Sequence, residues 1–350
     1  MGGRVLLGLS GGADSCAAVV LLREQGYDVT GAVLSLSPAH APAVRAARDA
    51  AAALGIPLEV IEGDALFDRE VAAPFCAAYR AGRTPNPCVL CNPAVKFRLL
   101  LEAADRLGCG HIATGHYARV SRENGVPVIR TAAAAARDQS YMLYALTLEQ
   151  RERLLLPLGG LPGKDVVRGI DRAHGLAAAD APDSQEICFI PDGDYPAYIA
   201  ARLGPERPGR FISPEGAPCG THSGVSGFTI GQRKGLGIAL GRPVFVRRLD
   251  PETGDVLLAD AGGEFAPAIR VTDERWQLPE PDAPARFGVK IRSMARPAPA
   301  TRYPGGLVVF DRPQRAPAPG QAAVYYCGDL VAGGGVIDRW EERPAALDES

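Results

Sequence analysis

The apolar run Val5 Leu6 Leu7 Gly8 Leu9 leads straight into Ser10 Gly11 Gly12 Ala13 Asp14 Ser15, and the helix-forming stretch Cys16 to Gln25 follows at once. Strand, small-residue turn and helix, in that order, constrain the fold more than any other feature of this chain. Glycines permit a tight turn whose N–H groups face inward, and a helix starting there adds the positive end of its dipole, so the three parts make an anion site. Ser10 and Ser15 add hydroxyl donors. The turn has neither the Gly-Lys-Ser/Thr ending of a Walker loop nor the Gly-x-Gly-x-x-Gly spacing of a dinucleotide fingerprint. It reads as an ATP loop of the kind that releases pyrophosphate, against the plainer reading of a glycine-rich connecting turn.

Downstream, apolar runs at 29–36, 58–61 and 111–114 read as strands, and 42–54, 67–79 and 94–107 read as helices. Alternation of this kind predicts a parallel sheet covered by helices, with ligands at the carboxyl ends of the strands. Both Ser10–Ser15 and Thr114 Gly115 His116 Tyr117 fall there. After about residue 195 the helical period fades and Gly and Pro become frequent. Runs at 243–249 and 254–259 read as antiparallel strands, and 268–272, 285–291, 306–310, 321–327 and 330–336 as a small β-barrel. The alanine run 132–136 reads as a mobile surface loop. The expected domains are 1–194, 195–264 and 265–350.

With 350 residues and 47% apolar content the chain can bury a sizeable core. No apolar run approaches the roughly 20 residues that span a bilayer, and Met1 to Arg4 run directly into the first strand, so the expected location is cytoplasmic with no membrane partner. The net charge of −2 gives no overall pull toward nucleic acid. Locally, Arg202, Arg207, Arg210, Arg233, Lys234, Arg242, Arg247 and Arg248 face only Glu206 and Glu215 within their own segment, an excess that suits phosphates or an ordinary solvated surface equally.

Eight cysteines are spread too widely for a secreted disulfide scaffold, and most read as buried small apolar residues. Cys88 and Cys91 stand apart, in Gly82 Arg83 Thr84 Pro85 Asn86 Pro87 Cys88 Val89 Leu90 Cys91 Asn92 Pro93. Three prolines there predict a loop, and a Cys-x-x-Cys on a loop points to metal binding or thiol chemistry. A zinc site drawing in Cys76 and Cys109 is a weaker alternative, because the spacing is unlike common zinc modules.

These strings together resemble the bacterial tRNA-specific 2-thiouridylases, the MnmA family. The resemblance spans nearly the whole chain: Gly8 to Ser15, the 82–92 string, Lys96 Phe97, Ala113 to Tyr117, Asp138 Gln139 Ser140 Tyr141, Asp183 Ser184 with Ile187 Cys188 Phe189 Ile190, Thr229 to Ile238, and Pro319 Gly320 Gln321. It implies an α/β domain of the ATP-pyrophosphatase type, a small mainly β central domain and a C-terminal β-barrel. The implied reaction is ATP-dependent 2-thiolation of the wobble uridine of tRNA. ATP makes the C2 oxygen a leaving group by adenylation, and a persulfide brings the sulfur.

By the same resemblance, Gly8, Leu9, Ser10, Gly11, Gly12, Ala13, Asp14, Ser15, Leu34 and Gly115 line the nucleotide site, with Asp14 helping to organise Mg2+. Cys188 carries the persulfide and Cys91 completes its release. Asn86, Pro87 and Cys88 face the target base, while His116, Arg137, Asp138, Gln139, Arg292, Ser293 and Gln321 contact the tRNA anticodon arm. The Gln232–Gly237 loop reads as RNA-facing. The implied sulfur source is a cysteine desulfurase, a sulfur-relay protein or free sulfide.

Four departures from the family pattern stand out. Cys88 occupies the position of an Asp assigned to proton transfer, which creates the Pro-Cys-x-x-Cys form of tRNA thiolases that hold an iron–sulfur cluster. Cys88, Cys91 and Cys188 would then be three ligands of a [4Fe–4S] cluster with one iron open. Arg137 stands for Lys, Gly227 Phe228 replace a Tyr-His or Tyr-Tyr pair, and the segment after residue 36 is short. Two rival readings remain, a catalytically silent tRNA-binding relative and an adenylating ligase for a small molecule.

Overall fold

The computed structural model describes residues 2–176 and 187–341. The motif residues Asp183 and Ser184 lie outside the described residues. The chain divides into two units, one of Met1–Ala72, Cys88–Gly193 and Asp329–Val331, the other of Ala73–Pro87, Asp194–Gly328 and Ala332–Ser350. Along the chain the helices are α1 (Ala13–Glu24), α2 (Ala41–Leu54), α3 (Asp64–Phe67), α4 (Ala73–Arg80), α5 (Pro87–Cys91), α6 (Phe97–Leu107), α7 (Leu148–Arg153), α8 (Lys164–Ala173) and α9 (Tyr195–Leu203).

The first unit is built on β1 (Arg4–Gly8), β2 (Asp28–Ser35), β3 (Leu58–Glu62), β4 (His111–Thr114), a hairpin of β5 (Ala118–Glu123) and β6 (Val126–Thr131), and the short β7 (Leu154–Leu155). Its main sheet has the order β3-β2-β1-β4-β7, and every neighbouring pair is parallel. Because β1 is central and covered on both faces, Val5, Leu6 and Leu7 are wholly buried. Small residues let α1 lie close: Cys16, Ala17, Ala18 and Val19 are all in the core. The β5–β6 hairpin turns at Asn124 and Gly125, both left-handed, as a two-residue hairpin loop requires.

In the second unit, β8 (Gly209–Ile212), β9 (Pro218–His222), β10 (Val244–Asp250) and β11 (Asp255–Asp260) form a sheet in the order β10-β11-β8-β9 around Phe211, Val246 and Val256. The strands β12 (Phe265–Trp276), β13 (Ala285–Lys290), β14 (Ala298–Tyr303), β15 (Leu307–Arg315), β16 (Ala322–Cys327) and β17 (Leu330–Glu341) follow in the order β12-β15-β14-β13-β16-β17, and β12 pairs with β17 to close a barrel. Closure leaves no free strand edge.

Four local expectations need correction. The 82–93 string is helical from Pro87, since a proline is harmless in the first turn of a helix, where its missing N–H has no partner to lose. The helix expected over 67–79 is interrupted by a π-helical turn at Asp68–Ala72, and the one expected over 94–107 begins as a π-helical turn at Asn92–Lys96. The 132–136 run is partly pinned: Ala132 is buried, and Ala133 N–H donates to the Gly159 carbonyl at 2.9 Å. Beyond these four, strand β14 had no counterpart in the expected strands, because it carries no apolar alternation: its inward-facing Arg302 is buried against Glu274 and Glu280.

Candidate active site

At the end of β1 the chain turns through Gly11, whose φ of +78° is left-handed. A Cβ there would lie 2.5 Å from the Ala46 carbonyl carbon on α2, so the position admits only glycine. Gly12 starts α1 with no side-chain cap, which leaves the helix N-terminus open toward a ligand. The two serines brace the turn: Ser15 Oγ donates to the Gly12 carbonyl at 2.9 Å and lies 3.2 Å from Ser10 Oγ. Gly115, just past β4, would bring a Cβ 3.0 Å from the Asp14 carbonyl carbon. Its absence lets the first turn of α1 and the end of β4 approach closely. Leu9 is buried and Leu34 half-buried on β2.

Asp14 is held from two sides. Tyr117 Oη donates to its Oδ1 at 2.6 Å, and Lys164 Nζ lies 2.7 Å from its Oδ2. Lys164 is buried in the first turn of α8, the end of a helix where a cation is disfavoured. That misplacement was the available sequence signal for a lysine the motif reading passed over. On the same helix Asp171 is wholly buried with no hydrogen bond to either carboxylate oxygen. Burial pushes its pKa up to about 6, Lys164 and His174 pull it back, and Asp14 raises it. Cys16, opposite on α1, is pushed up to about 12 by burial and then by Asp171.

The thiols form a second cluster in the same unit. Cys88 and Cys91 are one helical turn apart on α5 and share a face; Cys88 is exposed and Cys91 buried. Burial pushes the Cys91 thiol up, and Cys88 adds to this, while Lys96 opposes it through its charge and its backbone N–H. Cys188 has an exposed surface, yet the protein around it pushes its thiol up to about 12, with Cys88 and Cys91 raising it further and Lys96 lowering it. Cys91 and Cys188 are free thiols. Lys96 is thus the cation common to Cys91 and Cys188, a role invisible in its motif.

The walls are firmly placed. Phe189 packs edge-on to Phe67 at 5.2 Å, anchoring the Cys188 segment. Asn92 Nδ2 donates to the Met142 carbonyl and Gln150 Nε2 to the Pro93 carbonyl, fixing the turn beyond Cys91. His116 accepts or donates at 2.8 Å to Thr114 Oγ1 and stacks on Phe97; burial and then Lys96 hold its pKa well below the usual value, so it is neutral.

Among the residues expected at the tRNA, Arg137 is exposed, whereas Asp138 is committed to Ala132 and Ser140, and Gln139 Oε1 accepts from the Tyr117 N–H. In the second unit Gln321 Nε2 donates to the Thr84 carbonyl, Arg292 reaches the Ala316 carbonyl, Ser293 is half-buried, and Asn86 and Pro87 are half-buried where α5 begins. The basic segment is less unbalanced than its sequence window implies. Arg210 is paired with Asp255, Arg242 with Glu215 and Asp260, and Arg248 with Asp250. Gln232 ties its loop internally through the Thr229 N–H and the Lys234 carbonyl.

The left-handed glycine turn, the uncapped helix end and the braced hydroxyls fit a triphosphate. The thiols do not fit a cluster in the same way: among the described residues no three His, Cys, Asp or Glu side chains are grouped so as to hold a metal ion. No helix among them is long and apolar enough to cross a membrane.

Comparison with known proteins adds the following. Residues 3–192 match the model of the tRNA methyl transferase HUP domain, 197–260 that of the tRNA methyl transferase PRC-barrel domain, and 267–337 that of the aminomethyltransferase beta-barrel domain. The tRNA-specific 2-thiouridylase MnmA of Carboxydothermus hydrogenoformans is 42% identical over 96% of this chain and 98% of its own length. Its namesake in Moorella thermoacetica is 44% identical over 95% of this chain and 99% of its own. Solved structures align more weakly; NMN synthetase from Francisella tularensis has a TM-score of 0.34 at 17% identity, covering 51% of this chain and 66% of that one.

Proposed function

The chain belongs to the tRNA-specific 2-thiouridylase family, and from that premise we propose how its own residues carry out ATP-dependent sulfur transfer to the wobble uridine of tRNA. The observation that carries the reading is the presence, in one unit, of a braced nucleotide loop and a pair of free cysteines sharing the cation Lys96.

In this reading the Ser10–Ser15 turn and the N-terminus of α1 bind the triphosphate of ATP, with Gly8, Leu9, Leu34 and Gly115 around the nucleoside. Mg2+, when bound, screens the phosphate charge. The C2 oxygen of the uridine attacks the α-phosphate and pyrophosphate leaves, so that the oxygen becomes part of an AMP leaving group. The terminal sulfur of a Cys188 persulfide then attacks C2 and AMP departs. Cys91 thiolate next attacks Cys188 Sγ, forming a Cys91–Cys188 disulfide and freeing the 2-thiouridine. An external thiol must supply two electrons to reset the pair.

The tRNA is gripped by Asn86, Pro87, His116, Arg137, Asp138, Gln139, Arg292, Ser293 and Gln321, and Cys88 faces the target base without supplying a group the persulfide route requires. Unpaired anticodon bases reach a ligand crevice at little cost in stacking. A cysteine desulfurase or a relay protein passes its persulfide sulfur to the Cys188 thiol by exchange, free sulfide can serve only by attacking Cys188 Sγ of the Cys91–Cys188 disulfide and expelling the Cys91 thiolate, and a tRNA substrate implies a cytoplasmic site of action. We propose a functional division into 1–194, 195–264 and 265–350.

A [4Fe–4S] cluster on Cys88, Cys91 and Cys188 is the competing use of these thiols, and no step is derived through it because the three are not assembled as a ligand set. Cys88→Ala separates the two: with a persulfide donor, 2-thiouridine measured by mass spectrometry on an unmodified transcript should stay within about threefold of the unsubstituted protein. Complete loss, together with iron and acid-labile sulfide in anaerobically prepared protein, would replace the persulfide route.

A further inference from the structure

We propose that Arg83 and Asp338 are positioning residues for thiolation: with the Pro319–Gln321 turn they clamp Thr84, and a stiff stretch of chain carries that fixed point to the base-facing residues Asn86 and Pro87. The inference rests on the tRNA reading above and concerns the second unit alone.

The stiffness comes from residue order. In Thr84 Pro85 Asn86 Pro87 every residue either is a proline or precedes one. A proline ring locks φ near about −65°, and the residue before it is steered to extended backbone, so this stretch has few conformations open to it. Asn86 lies two residues beyond Thr84, at most about 7 Å of chain. Whatever fixes Thr84 therefore aims Asn86 and Pro87.

Thr84 is held at both of its backbone polar groups. Its N–H donates to the Pro319 carbonyl at 2.7 Å, and its carbonyl accepts from Gln321 Nε2 at 2.8 Å. Gly320, between those two partners, has a left-handed φ of +93°, and a Cβ there would lie 3.0 Å from Thr84 N. Arg83 adds a grip on β17, where its guanidinium donates to Asp338 Oδ1 and to the Ile337 carbonyl, each at 3.0 Å. The hydrogen bond from Arg83 is the largest influence on the Asp338 carboxyl and holds it below its usual range, with Arg339 assisting at Oδ2.

A clamp works only if its jaw is rigid. Gly320 N–H donates to the Ile337 carbonyl and Ile337 N–H to the Gln321 carbonyl, both at 2.8 Å, while Trp340 Nε1 donates to the Pro317 carbonyl. The turn is thereby fastened along its length to β17, a strand of the closed barrel. Gln321 uses Nε2 in the clamp, so its contact with RNA falls to Oε1.

The test is single-turnover thiolation of an unmodified tRNA transcript, by protein whose Cys188 has been loaded with persulfide by a cysteine desulfurase. ATP and magnesium are saturating, 2-thiouridine is read by mass spectrometry, and tRNA affinity is measured alongside by filter binding. Misplacing a reacting group by an ångström costs on the order of a hundredfold in rate, so partial release of the clamp should slow Arg83→Met about tenfold and Asp338→Asn about fivefold. Affinity for tRNA should stay within about twofold in both, because the clamp aims the base-facing residues without replacing their contacts. The double variant should be no slower than Arg83→Met, since the two side chains act through one contact. Hydrogen exchange of the tRNA-free proteins should be faster at the Thr84 amide in both single variants.

Single-turnover rates within about twofold of the unsubstituted protein in both variants overturn the proposal even where the melting temperature falls, because a contact that only stabilises gives that result. A tenfold weaker tRNA affinity with an undiminished rate at saturation also overturns it, and makes Arg83 an RNA contact. Unsubstituted protein that binds tRNA and ATP yet forms no 2-thiouridine overturns the thiolation reading itself, an outcome distinct from both.

Discussion

The nucleotide loop and the thiol cluster belong to the same unit and are built on different principles. Ser10–Ser15 is held by its own backbone and hydroxyls, with Gly11 and Gly115 allowing approaches that no side chain would permit. Cys91 and Cys188 are governed by charge and burial instead. Their state is set by the surrounding protein, which keeps Cys91 and Cys188 protonated, and by Lys96, which opposes that. A phosphate site can be preorganised because donors stay donors throughout the reaction. A thiol that is to react must instead remain convertible between thiol, persulfide and disulfide, so its control is electrostatic.

The largest test of that contrast is loss of either sulfur. Cys91→Ser and Cys188→Ser should each lower 2-thiouridine formation at least about a thousandfold while leaving ATP binding intact. Coupled loss of ATP binding, seen by calorimetry, would show that the two sites are not independent. Gly11→Ala attacks the other side. Left-handed strain and the approach to Ala46 should together destabilise the protein by about 4 kcal/mol, read as a fall in urea midpoint.

Asp171→Asn should act in the opposite sense. Its folded pKa of about 6 lies above the ordinary aspartate value of 3.8, so between those values the folded state holds the proton that the unfolded state has released. Stability of the unsubstituted protein therefore falls as pH rises through that window. The variant should gain about 2 to 3 kcal/mol at pH 8, and the gain should shrink below pH 6 and vanish near pH 4. Equal gains at pH 4 and pH 8 would rule out ionisation as the cause.

The smallest effect concerns Lys96. Since Cys188 is pushed up to about 12, its alkylation by iodoacetamide should rise about tenfold per pH unit from 7 to 9, and Lys96→Gln should slow it a few-fold throughout. A pH-independent rate would mean that Cys188 is already a thiolate.

Much of this was legible in the residues. Strand, glycine turn and helix are written in adjacent positions, and the parallel sheet follows from alternation of apolar and helical runs. The β5–β6 hairpin had its signal too, in Asn124 Gly125 between β-forming runs, although the linear reading passed over it. Prolines misled the reading of 82–93 because their meaning depends on position: fatal inside a helix, Pro87 is compatible with its first turn. Charge left the middle segment open between phosphates and an ordinary surface, because the acids that neutralise Arg210, Arg242 and Arg248 come largely from residues 250–260, outside the window read.

By itself the sequence determined the loop chemistry, the order of elements and the cysteines available for sulfur transfer, because each depends on residue type and short-range spacing. Tertiary structure alone decided that Lys164 rests on Asp14, that Asp171 is buried without a partner, and that Lys96 serves both Cys91 and Cys188. The physical reason is that ionisation and pairing depend on what surrounds a group in space. Residues such as Lys96 and Cys188, far apart in the chain, become electrostatic neighbours only once the sheet and helices have packed.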